Sequence, residues 1–251
     1  MTFFSASRST SVRHFSDENA MAAAAAEYLL AVANESVVAR ARFSLALAGG
    51  QTPAALYRLL AAPPLAGRMP WGATHIFQGD ERCVAPCHPD SNFHLAVTTL
   101  LASGLAPAGN IHRMRGEDPD IIGAAAEYQR EVEEFLFRDP TTEPGFDLVL
   151  LGMGVDGHVA SLFPGSTQLL EKKRLVAAVT EPAGNPALPR LTLTLAAINS
   201  ATRVLLMISG PEKKKILNEI TANSQAAAEK YPAALVRPGK ELVWLASDCD
   251  L

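Results

Sequence analysis

Short unbroken apolar runs alternate along the chain with longer stretches in which apolar residues recur every three or four positions. The runs fall at 43–48, 74–77, 147–151, 175–179, 203–208 and 241–245, and all are rich in Val, Ile, Leu or Phe. Runs of this kind suit strands buried on both faces, as in a parallel sheet covered by helices. The helical stretches lie near 17–34, 53–62, 91–102, 118–137 and 211–222, and in the fourth Ile121, Ala125, Tyr128, Val132 and Phe135 share one stripe. Pro/Gly clusters at 63–70, 104–109 and 182–189 read as surface loops, and no repeat, linker or compositional break divides the chain. The pattern predicts an α/β fold, a doubly wound and mostly parallel sheet flanked by helices, forming one domain over residues 1–251.

Composition narrows what such a domain binds. The 251 residues carry 22 Lys+Arg against 26 Asp+Glu, a net charge of −4, with 48% apolar and 19% charged residues. That is a soluble globular composition, and it lacks the basic face a nucleic-acid binder needs to neutralise phosphates. Any anion site must therefore be a local cluster working against the overall charge. The segment 21–33 imitates a secretion signal, but Asp17 and Glu18 precede it where positive charge is required and Glu27 interrupts it. It reads as a helix capped at Ser16 or Asp17, so neither export nor a membrane is expected and the cytoplasm is the predicted compartment. Cys83, Cys87 and Cys249 imply no disulfide framework, and Cys83-x3-Cys87-His88 lacks the second ligand pair of a zinc site, so no metal is expected.

In open α/β sheets the chemistry gathers in loops at the carboxyl ends of the strands. The loop after 43–48 reads Gly49-Gly50-Gln51-Thr52-Pro53. Two glycines permit a tight turn, Thr52 is suited to cap the next helix, and Pro53 fits its first turn, leaving amides for a phosphate. An ordinary strand-to-helix turn needs the same residues, so this loop alone leaves both readings open. The loop after 74–77 places Asp80, Glu81 and Arg82 directly behind a buried strand, with Asp90-Ser91-Asn92 ahead of a helix. Arg82 offers a planar fork for phosphate, and Asp80 or Glu81 can hold a sugar hydroxyl or a proton; a solvated charge run is the plainer alternative.

The third loop, Gly152-Met153-Gly154-Val155-Asp156-Gly157-His158, sets an imidazole among glycines at the mouth of the sheet, flanked by amides able to face an oxyanion. It fails as a dinucleotide fingerprint, because the following strand does not end on the required acid and Asp156 repels a pyrophosphate. Arg190 stands at the entry of an alternating strand. Lys213, Lys214 and Lys215 occupy a helix start, where cations oppose the helix dipole, so at least one of them is expected to hold an anion.

Taken together these loops resemble those of the glucosamine-6-phosphate isomerase/6-phosphogluconolactonase family, on its lactonase branch. The likeness lies in Gly-Gly-x-Thr-Pro-x-x-Leu-Tyr at 49–57, Asp-Glu-Arg at 80–82, Gly-Met-Gly-x-Asp-Gly-His-x-Ala-Ser-Leu-Phe-Pro-Gly at 152–165, Arg-x-Thr-Leu-Thr at 190–194 and Gly-x-x-Lys at 210–213. The chain departs from the family at Ala48 and Gln51, where serines are common, and in the segment 83–88. The deaminase branch has Asn where Asp156 stands and Asn-Glu-Pro shortly after the histidine, where this chain has Ser161-Leu162-Phe163-Pro164.

The resemblance implies the fold shared with glucosamine-6-phosphate deaminase and ribose-5-phosphate isomerase. It also implies hydrolysis of 6-phosphoglucono-1,5-lactone in the oxidative pentose phosphate pathway. His158 is the expected general base, with Asp80 or Asp156 assisting. Substrate and phosphate are expected on Gly49, Gly50, Gln51, Thr52, Arg82, Gly157, Arg190 and Lys213. The expected enzyme needs no cofactor, takes a small sugar-phosphate lactone, and is a monomer or small homo-oligomer. A deaminase or isomerase, or a non-catalytic sugar-phosphate sensor, is the alternative.

Overall fold

The computed structural model describes residues 8–138 and 144–248, so Cys249 lies outside the described residues. Seven strands form one sheet: β1 (Ser9–Phe15), β2 (Phe43–Leu47), β3 (Thr74–Gln78), β5 (Ile111–His112), β6 (Leu148–Leu151), β9 (Arg203–Ser209) and β10 (Glu241–Ser247). Their order is β1-β10-β9-β6-β2-β3-β5, and every pairing is parallel. Three further strands, β4 (Asp80–Arg82), β7 (Val176–Ala183) and β8 (Leu188–Leu193), make a small antiparallel sheet in the order β4-β8-β7. The helices are α1 (Glu18–Arg40), α2 (Thr52–Ala61), α3 (Asn92–Thr99), α4 (Ile121–Leu136), α5 (Leu195–Ser200), α6 (Pro211–Ala222) and α7 (Ser224–Ala228).

The central strands bury both faces, and their residues alternate between two cores. Leu45, Leu148, Leu150, Leu205 and Met207 pack under α1 and α2, while Ala46, Val149, Leu151, Val204 and Leu206 pack under α4, α6 and the small sheet. This period of two is why the strands read as continuous apolar runs rather than as amphipathic ones. At the amino ends of the strands, the buried carboxylate of Asp147 accepts from the Ser44 amide at 2.7 Å and the Ser44 hydroxyl at 2.9 Å, and it pairs with Arg40. That linkage locks β6 beside β2.

The suspected leader is the start of α1. Asp17 caps it by accepting from the Ala20 amide at 2.8 Å, and Met21, Ala22, Ala25, Ala26, Leu29 and Leu30 are buried in the core. The helix is long and apolar enough to cross a membrane, but its alanines at helical spacing serve here to bring it close onto the sheet.

Four expectations need correction. The run at 175–179 is a strand of the antiparallel sheet, not the parallel one; an unbroken apolar run signals burial, not which strand it pairs with. The cluster at 182–189 is loop only in its middle: residues 182–183 end β7 and 188–189 begin β8, and Asn185 in the turn between them lines the cleft described below. Asp80–Arg82 is a strand rather than a loop. Thr52 does not cap α2: Gln51 occupies the cap position, and no side chain bonds the helix start.

Candidate active site

Where the chain leaves β2, β3, β6 and β9 it meets at a cleft of about 270 Å³. These four strands are neighbours in the sheet, and the cleft opens at their carboxyl ends where β2 and β6 lead in opposite directions, the switch point of a doubly wound fold. Gly49, Gly50, Gln51, Thr52, Asp80, Arg82, His158, Arg190 and Lys213 all line it. Asp156 and Gly157 do not line it; they lie in the turn that presents His158.

The glycine loop has the geometry of an anion cradle. Gly50 turns at φ 88°, and among the described residues the amides of Gly50, Gln51 and Thr52 reach no protein acceptor. Uncapped amides at the positive end of a helix are where a phosphate is best placed. The serines absent at 48 and 51 leave that backbone geometry in place.

The three charges at 80–82 divide by role. Glu81, only 2% exposed, turns inward and accepts from the amides of Arg82, Asn92 and Phe93, the Ser91 hydroxyl and the Gln78 side chain, all at 2.7–2.9 Å. It is a structural anchor for the start of α3. Asp80 accepts from Ser161 Oγ at 2.7 Å and Asn92 Nδ2 at 3.0 Å, with Arg190 Nη1 at 4.0 Å. Arg82 donates to the Asp90 carbonyl through Nη1, while its Nε is buried without a partner. Pairing β4 with β8 sets Arg82 opposite Arg190, so two guanidinium groups stand at adjoining positions. Like charges facing across a ladder are unfavourable, and the Asp80 carboxylate beside Arg190 helps to offset them. Burial pulls the Arg190 pKa down and Asp80 holds it up.

Among the three lysines the geometry selects one. Lys213 lines the cleft, Lys214 pairs with Asp248, and Lys215 is exposed.

His158 is presented by a closed turn. Gly157 N donates to the Gly154 carbonyl at 3.0 Å and Gly154 N to the His158 carbonyl at 2.9 Å, folding the imidazole back over Gly154, where a Cβ would come within 2.2 Å of the ring. Nδ1 of His158 lies 2.6 Å from Asp156 Oδ1, which also accepts the His158 amide at 3.2 Å. An ionised carboxylate only accepts, so Nδ1 carries the proton and Nε2 keeps a free lone pair for the cleft. The amides of Gly154, Gly157 and His158 are thus spent within the turn and do not face an oxyanion. Phe163 lies against both the imidazole and one cation: its ring centre is 4.6 Å from that of His158 and 5.6 Å from the Arg190 guanidinium.

Sequence reading passed over Asn92, Asn185 and Phe163 as site residues, although all three stand in or beside quoted segments. Asn92 lines the cleft as it holds Asp80, a role hidden behind its place next to the helix cap Ser91. Among the described residues no group of three or more His, Cys, Asp and Glu side chains is arranged to hold a metal. Burial and the charge of Glu81 push the Cys83 thiol up to about 11, so it stays protonated and unreactive.

Comparison with known proteins identifies the family. Residues 16–244 match the family model described as glucosamine-6-phosphate isomerases/6-phosphogluconolactonase. A 6-phosphogluconolactonase of Nostoc is 38% identical over 229 residues, covering 91% of this chain and 92% of its own, and one of Mycobacterium tuberculosis is 35% identical over 240 residues, covering 94% and 95%. The crystal structure of the Thermotoga maritima 6-phosphogluconolactonase superposes with a TM-score of 0.82 at 32% identity, covering 95% of this chain and all of that one. A monomeric glucosamine-6-phosphate deaminase shares the fold at a TM-score of 0.75 and 19% identity. The chain belongs to the glucosamine-6-phosphate isomerase/6-phosphogluconolactonase family.

Proposed function

We propose that this cleft hydrolyses 6-phosphoglucono-1,5-lactone to 6-phosphogluconate, with His158 as the general base. The activity rests on lactonase relatives matched over most of the chain. The observation that carries the residue assignment is the Asp156–His158 contact, which leaves Nε2 facing the cleft as the acceptor for a water proton. Nε2 takes that proton as the water oxygen attacks the lactone carbonyl; the tetrahedral intermediate then collapses, the ring C–O bond breaks, and the proton passes from the imidazolium to the departing oxygen. Asp156 fixes the tautomer and steadies the transient imidazolium. Asp80 holds Arg190, Ser161 and Asn92 in register at the cleft wall. Lys213, Arg82 and the 50–52 amides take the phosphate, with Arg190 as a second cation.

Water is the nucleophile and the ester is already strained, so neither metal nor organic cofactor is called for in this scheme. The reading treats 1–251 as one catalytic domain acting in the cytoplasm on a small substrate, independent of nucleic acid or membrane. The test is to generate the lactone in situ and compare its disappearance with spontaneous hydrolysis. Acceleration supports the assignment. No acceleration would overturn it in favour of a sensor or isomerase, and ammonia release from glucosamine 6-phosphate would select a deaminase.

A further inference from the structure

The turn that presents His158 has a weak point at its centre. Gly157 lies between Asp156 and His158, and its φ of 78° is a conformation open mainly to glycine. A glycine has more backbone freedom to lose than any other residue, so the separation of the two flanking side chains is only as well defined as the restraint placed on it. Beyond the hydrogen bonds within the turn, part of that restraint comes from outside the loop. The ring of Tyr231 lies over the buried Gly157, so close that a Cβ there would meet Tyr231 Cδ1 at 2.6 Å and Cβ at 2.8 Å. Two residues on, the Ala233 amide donates to the Gly157 carbonyl at 3.0 Å.

Tyr231 is itself held at both ends. Its hydroxyl donates to Glu219 Oε2 at 2.9 Å, and its amide donates to the Ala227 carbonyl at 2.8 Å. Glu219 belongs to α6, the helix whose first turn carries Lys213, so one rigid element sets both the cation in the cleft and the anchor of the ring.

We propose that Tyr231 is a positioning residue for catalysis: its ring clamps Gly157 and so keeps the Asp156–His158 pair at hydrogen-bonding distance. This rests on the general-base reading of His158. Misplacing a reacting group by about 1 Å can cost about 10²-fold in rate. Tyr231 makes no contact with the cleft itself, so its loss acts on kcat and not on phosphate binding.

The experiment measures kcat and KM for the phosphorylated lactone in Tyr231→Ala and Tyr231→Phe, each in the parent and in the His158→Ala background. Expected for Tyr231→Ala is a kcat lower by about 10- to 100-fold at nearly constant KM. Tyr231→Phe keeps the ring on Gly157 and restores most of the rate, and in the His158→Ala background neither change has a further effect. Should Tyr231→Ala not fold, Tyr231→Leu supplies the same comparison, because a smaller branched aliphatic chain fills part of the space but does not lie flat over the glycine. An undiminished kcat, a rise confined to KM, or an equal loss in the His158→Ala background would overturn the clamp. A near-normal kcat for His158→Ala alone would instead overturn the general-base reading, so the two failures are told apart.

Discussion

The 2.6 Å contact between His158 Nδ1 and Asp156 Oδ1 joins two residues separated by a single glycine, so one tight turn supplies both groups that the proposed mechanism uses as base and orienting acid. Asp156→Asn tests what that contact does. An amide can donate to Nδ1, which favours the tautomer with the proton on Nε2 and so removes the acceptor from the cleft. A loss of the same kind in a serine protease triad is about 10⁴-fold; here, with a more exposed acid, about 10²- to 10³-fold in kcat is expected at nearly unchanged KM. Steady-state kinetics on freshly generated lactone decides it, and a kcat within twofold of the parent would remove Asp156 from the mechanism.

Phosphate recognition predicts the opposite split. Lys213→Ala and Arg82→Ala remove cations from the cleft wall without touching the imidazole. A charge-assisted contact contributes about 1.5–3 kcal/mol, so each change should raise KM for the phosphorylated lactone by about 10- to 100-fold. The same variants should handle unphosphorylated gluconolactone as the parent does. A loss confined to kcat would move the residue into the chemistry.

A third prediction concerns stability and lies away from the cleft. His75 on β3 is held down to about 4, first by burial and then by His112, Arg138 and Arg42; its Nδ1 lies 3.2 Å from His112 Nε2, and His112 in turn bonds Glu131 at 2.6 Å. The folded state thus prefers neutral His75, whereas the unfolded chain protonates it near 6.5. Its contribution is present above pH 6.5 and is lost as the pH falls from there to about 4. His75 is partly exposed, so after discounting for screening the loss is about 1–2 kcal/mol. Denaturant titrations of His75→Gln and the parent across that window should show a shallower fall in the variant. Parallel curves would contradict the assignment.

How much of this was legible in the chain follows from burial. The runs at 43–48, 74–77, 147–151, 203–208 and 241–245 are strands because both their faces are covered, and an unbroken apolar stretch carries that information. β1 was invisible for the converse reason: as an edge strand, Ser9–Phe15 is largely exposed and reads as polar loop. β5, two residues long, leaves no pattern at all. The antiparallel sheet was missed because its first strand consists of three charged residues, whose burial depends on partners far along the chain: Ser161 and Arg190 for Asp80, Ser91 for Glu81.

In the cleft, residue types pointed to His158, Lys213 and the glycine loop, since imidazole, ammonium and free amides each have few structural uses at a strand's end. The resemblance singled out Lys213 among the three lysines but left open whether Asp80 or Asp156 serves His158. Asp156 bonds the imidazole, and Lys214 is taken by Asp248. Gly157 looked like a ligand contact, but it is a buried hinge under Tyr231, 74 positions along the chain.

The central claim is that His158 takes the proton of the attacking water, and the most direct measurement is kcat and KM of His158→Ala on 6-phosphoglucono-1,5-lactone, corrected for spontaneous hydrolysis. Positioned proton transfer contributes about 10²- to 10⁴-fold, so kcat should fall by that factor while KM, set by Lys213, Arg82 and the 50–52 amides, stays within a small factor of the parent value. A folded variant with near-normal kcat would contradict the account.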